Sequence, residues 1–208
     1  PGRYNKAIPE KEGVREMIIE CLLAAAALAL LALFLLLPGH APFAKKAPFS
    51  GWCYAHRGLH SPDKSVPENS LAAFAAAADA GYGMELDVQL SKDGEVVVFH
   101  DDTLDRVTGV AGRVDAFDWA ELKEMPLCGT GHHMPLFTEV LATVAGRTPL
   151  IVELKSGPRN KELCQKTLAL LRSYEGAFCV ESFDPTIVAW FRRNAPDILR
   201  GQLSDSCA

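Results

Sequence analysis

Apolar and polar residues change period several times along this chain, and each change marks an element. Residues 84–101, MELDVQLSKDGEVVVFHD, predict two strands joined by a tight turn. Strand side chains alternate, so Leu86 and Val88 form one apolar face, while Glu85 and Asp87 share the other, about 7 Å apart. Asp93-Gly94 supplies the turn. The unbroken run Val96-Val97-Val98-Phe99 is the pattern of a strand buried on both sides, and it stops at His100-Asp101.

The same alternation extends in both directions. Residues 52–55 predict a short first strand ending at His56-Arg57-Gly58, and Asn69 or Ser70 can cap a helix over 71–80 that Gly81 closes. Residues 101–135 read as irregular and polar, apart from a short helix over 119–125 capped by Asp118. Phe137, Val140, Leu141 and Val144 line one side of an amphipathic helix ending at Gly146. A buried strand then runs from Pro149 into Glu153-Leu154-Lys155, followed by a helix over 161–173, a strand over 178–183, a helix over 185–194 and a sixth strand over 199–203.

Strands separated by helices pair in parallel, because parallel pairing requires crossovers. The polar candidates sit at strand C-terminal ends: His56, Glu85 and Asp87, His100, Glu153 and Lys155. A (β/α)8 barrel gathers its site there from several strands, whereas an open doubly wound sheet concentrates function at one switch point. The expected fold is therefore an α/β, TIM-type barrel over 51–208, truncated after about six strands.

An apolar run changes the picture at the N-terminus. Residues 21–37, CLLAAAALALLALFLLL, carry no charge, glycine or proline, and Met17 to Ile19 extend the run with only Glu20 interrupting. That length approaches the roughly 20 residues that span a bilayer and exceeds the roughly 7–15 of a signal-peptide core. The reading is a polar segment over 1–16, one transmembrane helix over 17–37 and a Pro-rich linker over 38–50, hence a single-pass membrane protein. The basic residues before the span favour an external catalytic part. A start at Met17 would remove them and leave Lys45-Lys46 to hold that part inside, so the side stays open. Across all 208 residues the formal net charge is −5, with no basic stripe, which argues against a nucleic-acid partner. Six cysteines without CxxC spacing read as free thiols rather than a disulfide framework or zinc site.

Glu85 and Asp87 on one strand face, with a histidine closing the next strand, suit metal-assisted chemistry. Carboxylates favour a hard cation such as Ca²⁺ or Mg²⁺ over zinc. From Ala55 onward the chain resembles the glycerophosphodiester phosphodiesterase family through AHRG (55–58), PENS (67–70), ELDVQLSKDG (85–94), VVVFHDDTLDR (96–106), MPLF (134–137) and IVELK (151–155). The resemblance implies Glu85, Asp87 and Glu153 as ligands of a divalent cation. It implies His56 and His100 as general acid and base, and Arg57 and Lys155 as phosphate contacts. The substrate it implies is a glycerophosphodiester or lipid headgroup. A barrel-rim salt bridge for Arg57 and a counter-ion role for Lys155 are the plainer alternatives, and Glu68 and Asn69 read as helix capping and site shaping. A lysophospholipid phosphodiesterase, or an inactive membrane-bound module, are the competing readings of the whole.

Overall fold

The computed structural model describes residues 10–36 and 41–204, with side chains over 13–31 and 41–204. Two units divide the chain, Pro1–Ala41 and Pro42–Ala208. The first holds helix α1 (Glu10–Leu36). The expected membrane span over 17–37 is not supported: among the described residues no helix is long and apolar enough to cross a membrane. Of the charged residues in the part of α1 whose side chains are described, Arg15 and Glu16 precede the expected span and Glu20 lies near its start. Residues 1–9 of the expected polar segment, Leu37 of the span, 38–40 of the linker and 205–208 lie outside the described residues.

The second unit opens with the short helix α2 (Phe43–Lys46), from which Lys45 Nζ donates to the Pro196 carbonyl at 2.9 Å. Its centre is a six-stranded sheet of β1 (Tyr54–His56), β2 (Gly83–Leu90), β3 (Val96–Val98), β4 (Leu150–Leu154), β5 (Phe178–Ser182) and β6 (Arg200–Gln202), ordered β1-β2-β4-β5-β6. Those five are parallel, as in a TIM-type barrel; β3 pairs antiparallel with β2. Counting β3 among six barrel strands was one too many. Its connection to β2 is far shorter than the dozen or so residues a parallel crossover needs, so it can only turn back.

Helices α3 (Leu71–Asp79), α6 (Phe137–Val144), α7 (Asn160–Arg172) and α8 (Pro185–Asn194) follow the expected pattern. Leu86, Val88, Leu150, Val152 and Leu154 turn to one face of the sheet and join Phe74, Phe137, Leu171 and Phe191 in the main core. That leaves Glu85, Asp87 and Glu153 on the opposite face. The segment 101–135 is more ordered than its polarity implies. It carries α4 (Asp105–Thr108) and α5 (Trp119–Leu122), and its sparse apolar residues Leu104, Val107, Val114, Leu122, Leu127 and Met134 build a second core. Val96 and Val98 enter the first core, Val97 and Phe99 the second, which explains the unbroken apolar run of β3.

Candidate active site

The site begins where β1 ends. Pairing of β1 with β2 sets His56 opposite Glu85, and His56 Nε2 lies 3.7 Å from Glu85 Oε2. Arg57 then takes a left-handed φ of 59°, which aims its backbone N–H at Glu85 Oε2 (3.1 Å). Asn69, also left-handed at 56°, donates its backbone N–H to the Arg57 carbonyl at 2.9 Å. Non-glycine residues held in this region carry strain that surrounding structure must offset, and such strain clusters at functional sites. Gly58 completes the turn at φ 78°, so close to α3 that a Cβ would meet backbone and side-chain carbon of Ala73 at 2.9 Å.

Three carboxylates converge beside this turn. Glu85 and Asp87 rise from β2 and Glu153 from β4, with Asp87 and Glu153 in register. One oxygen from each lies within 4.8 Å of the others. Burial and the neighbouring Asp87 push the Glu85 carboxyl up to about 8. Glu85 Oε1 and Asp87 Oδ1 are buried without a hydrogen-bond partner. An all-oxygen set with unused acceptors fits Ca²⁺ or Mg²⁺, and its lack of nitrogen or sulfur does not favour zinc. Lys155 Nζ donates to Glu153 Oε1 at 2.8 Å and lies 3.6 Å from Asp87 Oδ1.

The 67–70 loop decides between the two capping candidates. Ser70, not Asn69, caps α3, its Oγ accepting from the Ala73 N–H at 3.2 Å. Asn69 Nδ2 instead donates to Asp87 Oδ2 (2.9 Å), and Glu68 Oε1 accepts from Arg57 Nη1 (2.8 Å). Both therefore hold residues of the site.

His100 follows β3, its Nδ1 2.7 Å from Asp101 Oδ1. Burial would raise the Asp101 pKa, yet hydrogen bonds with Arg106 and His100 outweigh it and hold that carboxyl below its usual range. Partial burial and the Arg57 guanidinium lower the His56 pKa; Asp87 opposes this and His100 adds to it. His56, Glu153 and Lys155 thus lie at the ends of β1 and β4, and Arg57 and His100 in the loops that follow β1 and β3, whereas Glu85 and Asp87 rise from the interior of β2 rather than from its C-terminal end.

Glu181, Asp101 and Arg106 received no role from sequence. Glu181 lies on β5 in register with Glu153, and burial together with Glu153 and Asp87 raises its pKa. Period-2 reading of Glu181-Ser182 would have placed it on the site face. Asp101 and Arg106 were visible within HDDTLDR, but their partner Glu68 is remote in sequence.

Residues 56–207 match the model of the Glycerophosphoryl diester phosphodiesterase family. A glycerophosphodiester phosphodiesterase of Caldanaerobacter subterraneus subsp. tengcongensis is 35% identical over 164 residues, covering 72% of this chain and 65% of that protein. A lysophospholipase D of Rattus norvegicus is 34% identical over 145 residues, 63% of this chain and 44% of that one. Among solved structures, the Oleispira antarctica phosphodiesterase in complex with the product sn-glycerol-3-phosphate superposes with a TM-score of 0.70 at 27% identity, covering 77% of this chain and 68% of that one. The chain spans less than two-thirds of the length of these curated relatives. By this family match and the identity to its relatives, this chain belongs to the glycerophosphoryl diester phosphodiesterase family.

Proposed function

We propose that this site hydrolyses glycerophosphodiesters to glycerol phosphate and an alcohol, with a divalent cation held by Glu85, Asp87 and Glu153. The observation that carries the reading is the convergence of these three carboxylates, two with unused buried oxygens, beside His56. The bound cation would polarise the phosphoryl oxygen and offset the charge that develops on it.

The chain's own side chains supply the rest. Arg57 presents a planar fork suited to two phosphate oxygens, and Lys155 adds a point charge. One of His56 and His100 takes a proton from the attacking oxygen, either of water or of a neighbouring substrate hydroxyl whose cyclic ester water then opens; the other protonates the departing alkoxide. The lowered His56 pKa leaves that imidazole neutral at physiological pH, as a base must be.

The test is a substrate panel of glycerophosphocholine, glycerophosphoethanolamine and a lysophosphatidylcholine, assayed with chelator and with Ca²⁺ or Mg²⁺ restored. Expected are cation-dependent release of glycerol phosphate and loss of turnover in His56→Ala and His100→Ala with cation affinity kept. Turnover only on the lysolipid would shift the reading to a lysophospholipase D, the activity named for the rat relative. Equal turnover with and without chelator would remove the cation from the mechanism.

A further inference from the structure

One guanidinium, given no role above, touches both halves of the proposed machinery. Arg106 projects from the one-turn helix α4. Its Nε and Nη2 donate to Asp101 at 2.6 and 3.0 Å, while its Nη1 and Nη2 donate to Glu68 at 3.0 and 2.6 Å. Asp101 in turn pairs with His100 Nδ1, and Glu68 accepts from Arg57 Nη1. An unbroken series of charge-assisted hydrogen bonds therefore runs from His100 through Asp101, Arg106 and Glu68 to Arg57.

Each link has a chemical consequence. A carboxylate on Nδ1 favours the tautomer with its proton there and leaves Nε2 to exchange protons. A carboxylate on one Nη of Arg57 fixes where the rest of that fork points. Glu68 titrates at about 2, chiefly through its hydrogen bond from Arg106, so it stays ionised and available to Arg57. Lysine could not replace Arg106, because one ammonium cannot grip two carboxylates in bidentate fashion. Arg106 itself is half exposed (49%), against 18% for Glu68 and 22% for Asp101, so its worth lies in geometry more than in stability.

We propose that Arg106 is a positioning residue that aligns the His100 acid–base and the Arg57 phosphate contact as one unit. This rests on the phosphodiesterase reading for its catalytic meaning, though the coupling itself can be read without turnover.

The experiment compares Asp101→Asn, Glu68→Gln, Arg106→Met and Arg106→Lys in the full chain. It measures kcat and KM on glycerophosphocholine, affinity for inorganic phosphate with cation present, and the ¹⁵N signals of the His100 imidazole. Removing a partner that orients an active group typically costs about 10-fold to 100-fold. Asp101→Asn should lose that much in kcat and retain phosphate affinity. Glu68→Gln should weaken phosphate binding and leave the His100 tautomer unchanged. Arg106→Met should do both and disturb the His100 signals, and Arg106→Lys should fail to restore either.

Wild-type behaviour in Arg106→Met, or full rescue by Arg106→Lys, overturns the proposal. So does a loss in all four variants that tracks a fall in melting temperature, which a purely structural role would give. If the unaltered chain cleaves no diester, the phosphodiesterase reading falls, and the phosphate affinities and ¹⁵N signals still decide the coupling.

Discussion

At the scale of single residues, Lys155 separates two roles that the sequence left open. Its ammonium sits 2.8 Å from Glu153 and 3.6 Å from Asp87, so it neutralises the same oxygens that would ligate a cation. Two positive groups compete for those lone pairs, while a bound phosphate gains from both. Replacing Lys155 with Met should therefore strengthen cation binding and weaken phosphate binding, by about 10-fold for the latter if one charge-assisted hydrogen bond is lost. Calorimetry with Mg²⁺, then with phosphate added, reads both signs; unchanged phosphate affinity would leave Lys155 as a counter-ion only. Legibility at this scale follows distance along the chain. Glu85 and Asp87 declared themselves by strand alternation, whereas Glu153 and Lys155 drew their roles from motif resemblance. The Arg57–Glu68–Arg106–Asp101 network was silent, because Arg106 and Glu68 stand 38 positions apart and a local pattern cannot report such a pairing.

At the scale of elements, the turn from β1 into the 57–70 loop carries the most constraint. Gly58 combines a left-handed φ with contact against α3, so neither backbone nor neighbour can yield to a side chain. Gly58→Ala should cost roughly 2–4 kcal/mol, from left-handed strain plus overpacking, and should also turn the Arg57 N–H away from Glu85. Urea unfolding measures the first and cation affinity the second; a change within about 0.5 kcal/mol, ordinary for a surface site, would contradict the packing argument. The long apolar-periodic helices and strands were legible within a residue or two. Helix α5 was legible from its Asp118 cap, though three residues shorter than expected, but α4 and the second core were not, since isolated residues such as Leu104 and Leu122 have no period to detect until the chain folds over β3. The barrel's strand count is one too many although the tight turn at Asp93-Gly94, itself legible in the sequence, already requires β3 to run back along β2.

At the scale of the whole molecule, the sheet stores two opposite electrostatic biases. Glu68 is held at about 2, first by Arg106 and then, against burial, by Arg57. Its folded pKa lies below the ordinary 4.5, so its contribution to stability is present above that value and disappears as pH falls toward 2. Glu85 is raised to about 8, chiefly by burial and then by Asp87. Its ionisation is disfavoured on folding, so stability falls as pH rises from 4.5 through 8. Without a cation these opposing slopes place maximum stability near about pH 5, on the acidic side of neutrality. A divalent cation must displace the Glu85 proton, so it should bind more tightly and stabilise more as pH approaches 8. Thermal unfolding near pH 3, 5 and 8, with chelator and then with Ca²⁺ or Mg²⁺, should show a chelator-only midpoint that drops on both sides and a cation-induced rise largest at the alkaline end. A chelator-only midpoint as high near pH 8 as near pH 5 would mean that the three carboxylates do not repel one another as their burial requires. A cation that gave equal stabilisation throughout would place its binding site elsewhere on the molecule.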